Sequence, residues 1–334
     1  MNSVPRAIST GNSPSSPKPL SQAARLDGQT AIVTGASAGG RAFEAAKKLA
    51  AHGLARLILA VWTVASGETA KQNIVEQSRS CDVRVWAVDY DSSESMAAFA
   101  ARACSELDRL DIVLLSAGVK NLEFVRSKTG HESNVQLTSP FCCCQPYTAP
   151  QNRLHGPHAA SPSSPSRCTS GRPLPSVMPP RSCSASTRNE ESRFKRGDME
   201  RYNTSKLLNV IWTREISSRT ASQVSGGSGT VTINAVNPDF CASALHRSHT
   251  MPGQALISRV LAWTPAQGGH CLADAACRHD GERGAYISEQ EIKAPSSFVT
   301  SADGGIAQKR LWEETIALLK EVDPSLDIKS LLEG

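Results

Sequence analysis

No run of about 18 apolar residues occurs anywhere in the 334-residue chain, so nothing in it reads as a membrane span. Charge of one sign is also scarce. The net charge is only +5 and the basic residues are scattered, which leaves no electrostatic footprint for nucleic acid. No Cys-x-x-Cys pair exists among the ten cysteines, and Cys142, Cys143 and Cys144 are adjacent rather than spaced, which argues against a metal site. The opening stretch "MNSVPRAISTGNSPSSPKPLSQAA" lacks the apolar core of a secretory signal. A loose tail over residues 1–25 is expected, on a cytoplasmic protein without a disulfide framework. The last scarcity is local. Thr138–Arg188 has no Asp or Glu and few large aliphatics, yet holds ten of the chain's 19 prolines. Such a segment offers little apolar surface to offset its ordering entropy, and proline blocks central strands.

On either side of that segment the pattern is regular. "TAIVTG" is a short β-rich run ending at Gly35. "FEAAKKLAAHG" follows with helical spacing and stops at Gly53. "ARLILAV", "VRVWAVD" and "DIVLLSAG" are further apolar runs. Helical stretches lie between them, one opened by a serine cap in "SSESMAAFAARACSELD". After Arg188 come a helical "GDMERYNTSKLLNVIWTREISSRT", a strand "TVTINAVNPD", and a helix with Pro265 near its first turn. A short "GAYIS" strand and an amphipathic "AQKRLWEETIALLKEV" follow. Continuous apolar strands alternating with helices predict an α/β fold, a parallel sheet covered on both faces. A single domain over 26–334 is expected, irregular at 138–188.

Two motifs carry chemistry. In "TGASAGGRAFEAA", Gly35, Ser37, Gly39 and Gly40 form a tight strand-to-helix turn. Such a turn lets backbone and helix N-terminus meet a diphosphate. In "YNTSK", Tyr202 and Lys206 are four residues apart and share a helix face. A phenol titrates near pH ~10, and a neighbouring ammonium favours the phenolate, which makes Tyr202 a usable acid/base. A lone pair at this spacing is usually a pair of surface neighbours. The ordered series says more: the turn, "VDY", "SAG", then "YNTSK" and "NP". With it the sequence resembles the short-chain dehydrogenase/reductases, in particular a fungal branch, over about Leu26–Val322 outside Thr138–Arg188.

The resemblance implies a Rossmann-like doubly wound sheet and a hydride transferred between NADP(H), or NAD, and a ketone or alcohol. It implies Tyr202 as acid/base, with Lys206 lowering its pKa and holding the nicotinamide ribose. It places Asp89 at the adenine, Ser116, Ala117 and Gly118 along the cofactor's middle, and Asn237, Pro238 and Ser243 near the nicotinamide. It also implies a small apolar substrate, a role in secondary metabolism, and the pairing of two subunits.

The sequence departs from the family pattern at several points. Arg41 stands in the last glycine's place: either one residue is inserted there, or a bulky cation meets the diphosphate, contacting phosphate or obstructing it. Trp62 stands where NADP-preferring relatives carry Arg. Ser116 replaces an Asn, and Asp239 replaces the glycine of "NPG". No strand is legible before the catalytic serine's expected place, and none of Ser182, Ser184 and Ser186 is assigned that role. The reading set against an active enzyme is therefore an impaired relative, a binding or scaffold protein lacking the serine-bearing strand. A third reading makes 138–188 a translation of the wrong frame.

Overall fold

In the computed structural model, which describes residues 16–138, 154–161, 200–221, 232–241, 262–279, 282–322 and 324, the first apolar run forms strand β1 (Thr30–Thr34). Gly35 and Gly39 then turn the chain into helix α1 (Arg41–Ala51). Two more strand–helix units follow, β2 (Arg56–Val61) with α2 (Val64–Gln77) and β3 (Asp82–Ala87) with α3 (Ser93–Glu106). The predicted serine cap of α3 is Ser92, whose hydroxyl accepts from the Ser95 N–H at 3.2 Å. Strand β4 (Leu110–Leu114) leads to the short helix α4 (Ser133–Thr138). The later elements are β5 (Leu154–Ser161), α5 (Glu200–Ala221), β6 (Ile233–Asn237) and α6 (Pro265–Cys277). They are followed by β7 (Tyr286–Ser288), β8 (Glu291–Lys293), α7 (Ser297–Thr300) and α8 (Ala302–Val322). Pro265 opens α6 beside a reciprocal Thr264–Gln267 capping box.

The sheet order is β3-β2-β1-β4-β5-β6-β7-β8, parallel except for the β7–β8 hairpin. Strand residues alternate between two cores. Ala31, Val33, Leu57, Leu59, Ile112 and Leu114 pack under α1, α2 and α6. Ile32, Ile58, Ala60 and Val113 face α3, α5 and α8, where Trp212 stacks on Trp312 at 5.0 Å. This is the expected doubly wound α/β fold.

Strand β5 corrects the sequence reading, which finds no strand between Thr138 and Arg188. It lies in the middle of the sheet, between β4 and β6. Its partners in β4 jump from Leu154 opposite Leu110 to His158 opposite Ile112. The strand therefore bulges over Gly156 and Pro157, and pairing with β6 begins only at Ala159. Pro157 falls where neither ladder needs its missing N–H.

The described start of the chain is packed against the sheet. Of the expected tail over 1–25, residues 16–25 are described, and Ser16 Oγ accepts from Gln267 Nε2 at 2.9 Å. Lys18 exchanges two backbone hydrogen bonds with the Gln290 side chain, at 2.7 and 2.8 Å, and Leu20 is buried.

Candidate active site

The strand order reverses direction between β1 and β4, and in open α/β sheets the crevice beyond the carboxyl ends at such a point takes the ligand. The Gly-rich turn and the Ser116–Gly118 loop meet there. Gly35 has φ +68, and a Cβ on it would lie 2.9 Å from the Ala117 Cα, so only glycine lets the two backbones touch. Thr34 ties the same ends together: its hydroxyl accepts from the N–H groups of Ser116 and Ala117, both at 2.9 Å.

Gly39, at φ +81, has nothing within 4 Å of its would-be Cβ. Gly40 caps α1 without a side-chain hydrogen bond, and Ser37 closes the turn by accepting the Gly40 N–H at 3.2 Å. An open, side-chain-free helix N-terminus of this kind fits a dinucleotide's diphosphate.

Arg41 is the first residue of α1, and its Cβ packs toward Gly268 of α6. Its guanidinium field reaches the Tyr202 phenol and the Cys241 thiol, working in both against the rise that burial imposes. The Arg41 charge thus acts toward the catalytic end of the crevice.

At the other end of the crevice Trp62 follows β2 and is 76 % exposed. Asp89 follows β3 and is already engaged. Its carboxylate accepts from Lys128 Nζ at 2.7 Å and from the Asp91 N–H at 2.9 Å, and the lysine bond holds its pKa below the usual range. Whatever adenine contact Asp89 makes would compete with Lys128.

Tyr202 and Lys206 project from the first turns of α5 and are 7 % and 3 % exposed. Lys206 Nζ lies 5.2 Å from the Tyr202 ring centroid. Burial pushes the Tyr202 phenol above its ordinary value, so it is protonated at neutral pH and suited to give a proton. Pro238 and Asp239 follow β6. Asp239 holds φ +61, a conformation that the glycine of "NPG" would adopt freely, and its N–H donates to Asn237 Oδ1 at 3.0 Å. Pro238 accepts the Cys241 thiol at 3.1 Å. Ser243 lies outside the described residues, as do Ser182, Ser184 and Ser186.

Three residues escape the sequence reading. Lys120, just past the Ser116–Gly118 loop, brings its Nζ to 5.6 Å from the same ring centroid. Asn134 on α4 is fully buried and exchanges two hydrogen bonds with the Asn121 backbone, at 2.8 and 2.9 Å, which fixes the loop carrying Lys120. Ser161 ends β5 opposite Ala235 of β6. A lysine so close behind the carboxyl end of β4 was the available signal for Lys120. Nothing in the local pattern pointed to Ser161.

Comparison with known proteins decides the family. A family model described as short chain dehydrogenase matches residues 29–151. The "Short chain dehydrogenase sol3" of Alternaria solani is 52 % identical over 295 residues, covering 83 % of this chain and 94 % of its own length. The chain belongs to the short-chain dehydrogenase family. "Short chain dehydrogenase/reductase dmxR8" of a Cryptosporiopsis strain is 31 % identical over 307 residues, covering 90 % of this chain and 93 % of its own. Among solved structures, the "RhlG/NADP active-site complex" of Pseudomonas aeruginosa superposes with a TM-score of 0.55 at 18 % identity. It covers 79 % of this chain and 95 % of its own, a likeness of fold. Members of this family are oxidoreductases that bind nicotinamide cofactors and act on small molecules. Among the described residues of this short-chain dehydrogenase no helix is long and apolar enough to cross a membrane.

Proposed function

We propose that the protein interconverts a ketone and an alcohol on a small apolar substrate with NADP(H), NAD being the alternative, with Tyr202 as proton donor and acceptor. The observation that carries this is the buried Tyr202–Lys206 pair, placed beside the crevice where Gly35 and Ala117 touch. Gly39, Gly40 and the head of α1 would hold the diphosphate, and Ser116 and Gly118 the cofactor's middle. The nicotinamide, when bound, supplies or takes the hydride. Tyr202 passes its hydroxyl proton to the carbonyl oxygen during reduction, and Lys206 stabilises the phenolate left behind. Strand β5 removes one ground for reading the chain as an impaired binding protein, while Arg41 and Asp239 stay as departures from the family pattern. Cytoplasmic residence, a role in secondary metabolism and pairing of subunits extend the same reading; the relatives come from Alternaria and Cryptosporiopsis.

The test is a panel of small apolar ketones with NADPH or NADH, followed by cofactor oxidation. Tyr202→Phe is expected to lose activity by about a hundredfold or more, because the proton has no other donor at that place. Turnover unchanged in Tyr202→Phe defeats the proposal. Reduction by the wild type should also decline as the pH climbs into the alkaline range, where the phenol ionises. Titrating each cofactor against tryptophan fluorescence separates NADPH from NADH, with Trp62 exposed beside the crevice as reporter.

A further inference from the structure

Tyr202 is faced by cations from three separate elements. Lys206 lies on its own helix, with Nζ 5.2 Å from the ring centroid. Lys120 arrives from the loop after β4, with Nζ at 5.6 Å. Arg41 acts from the head of α1, and its field lowers the cost of the phenolate. Glu132, on the approach to α4, accepts from the N–H groups of Asn134 and Val135 with its two oxygens, at 3.0 and 2.9 Å. Asp239, beyond β6, acts on Cys241. On α5 the neighbour Arg201 is half-buried and adds no negative charge. Cations thus approach the phenol from three elements, while burial outweighs the Arg41 field and keeps its pKa above the ordinary value.

Lys120 is the part of this arrangement that the family motifs leave out. It does not share a helix with Tyr202, so helical spacing cannot account for its approach. Its loop is pinned by the reciprocal Asn121–Asn134 bonds, so the ammonium is delivered by built structure. We propose that Lys120 is a second positioning cation for Tyr202, sharing with Lys206 the stabilisation of the phenolate left when the hydroxyl proton is given away. Burial of Lys120 makes its own charge costly, and burial does the same to the phenolate. An ammonium and a phenolate facing each other at this site would each offset the other's desolvation.

The proposal rests on Tyr202 as the acid/base, but its test needs no turnover, so the two can fail separately. The full-length protein is labelled with carbon-13 at the tyrosine Cζ. It has four tyrosines, and the Tyr202 signal is the one lost in Tyr202→Phe. The phenol is titrated in wild type, Lys120→Met, Lys120→Gln, Lys120→Arg and Lys206→Met. The neutral Lys120 variants should raise the Tyr202 midpoint by roughly one pH unit, and Lys120→Arg should restore it. A midpoint unmoved in folded Lys120→Met or Lys120→Gln, while Lys206→Met moves it, overturns the proposal. A second measurement leaves Lys120 in place. Coupling is mutual, so the Lys120 ammonium, followed by its own side-chain resonance, should titrate lower in Tyr202→Phe than in wild type. Equal midpoints in those two proteins overturn the proposal as well.

Discussion

Two glycines of one turn share a left-handed backbone and nothing else. Gly35, at φ +68, is pressed against Ala117, with 2.9 Å between its would-be Cβ and the Ala117 Cα. Gly39, at φ +81, faces open space. Alanine at Gly39 therefore meets only the conformational penalty, about 1–2 kcal/mol. At Gly35 the same penalty adds to a clash with backbone, which cannot rotate away. Gly35→Ala is expected to lower stability by roughly 2–4 kcal/mol and to force β1 from the Ser116–Gly118 loop, weakening cofactor binding as well. Urea midpoints and fluorescence titrations of the two variants check this. Equal losses in both would show that the Gly35–Ala117 contact does not matter. The sequence makes this turn legible because glycine is the one residue whose presence announces the backbone it needs. Tyr202 and Lys206 are legible for a related reason: four-residue spacing on a helix is itself a geometry. Lys120 is not legible in that way, since its partner is brought to it by the sheet and by Asn134.

Legibility falls off at the level of elements when a strand is built against its own composition. β1, β2 and β4 read directly because they are buried on both faces and their centres carry Val, Ile and Leu. β5 carries "LHGPHAAS", with one large aliphatic residue and a proline, and it is a strand because β4 and β6 leave a gap that it fills. The bulge over Gly156 and Pro157 takes the residues that a regular ladder would refuse. Tertiary placement decides such an element and local pattern does not. The α1–α6 contact is set by composition in the opposite sense. Gly268 and Gly269 let α6 lie directly on α1: a Cβ on Gly269 would come within 2.6 Å of Glu44 Cβ and 2.9 Å of the Glu44 carbonyl carbon. Gly269→Ala should push the helices apart and cost about 1–3 kcal/mol, despite alanine's better helix propensity. Because α1 opens at the Gly-rich turn, cofactor affinity should fall in parallel. A variant as stable as wild type, or more so, would mean that the helices separate freely.

At the scale of the whole molecule, buried thiols link stability to pH. Cys241, Cys271 and Cys81 are buried, and burial pushes them from 9.0 up to about 11, about 12 and about 11 respectively. In the unfolded chain these thiols lose their protons near the ordinary value, while in the folded chain they keep them. Between 9.0 and about 11 the unfolded state therefore binds fewer protons, and stability must fall as pH rises. The slope reaches at most ~1.4 kcal/mol per thiol per pH unit. Tyr202 and Tyr286, also raised by burial, pull the same way at higher pH. Lys48 and Lys120 oppose them, because burial lowers their pKa and makes the folded state the one that binds fewer protons. The lysines act below their ordinary value of 10.5, and the three thiols, raised from 9.0 to about 11 or 12, outweigh them in the window above 9.0. Urea midpoints followed upward from neutral pH should hold steady and then decline through that window. Replacing both Cys241 and Cys271 with alanine should lower the plateau, since each loses a packed sulfur, yet flatten the decline. A decline equally steep in the double variant would assign the alkaline sensitivity to other groups.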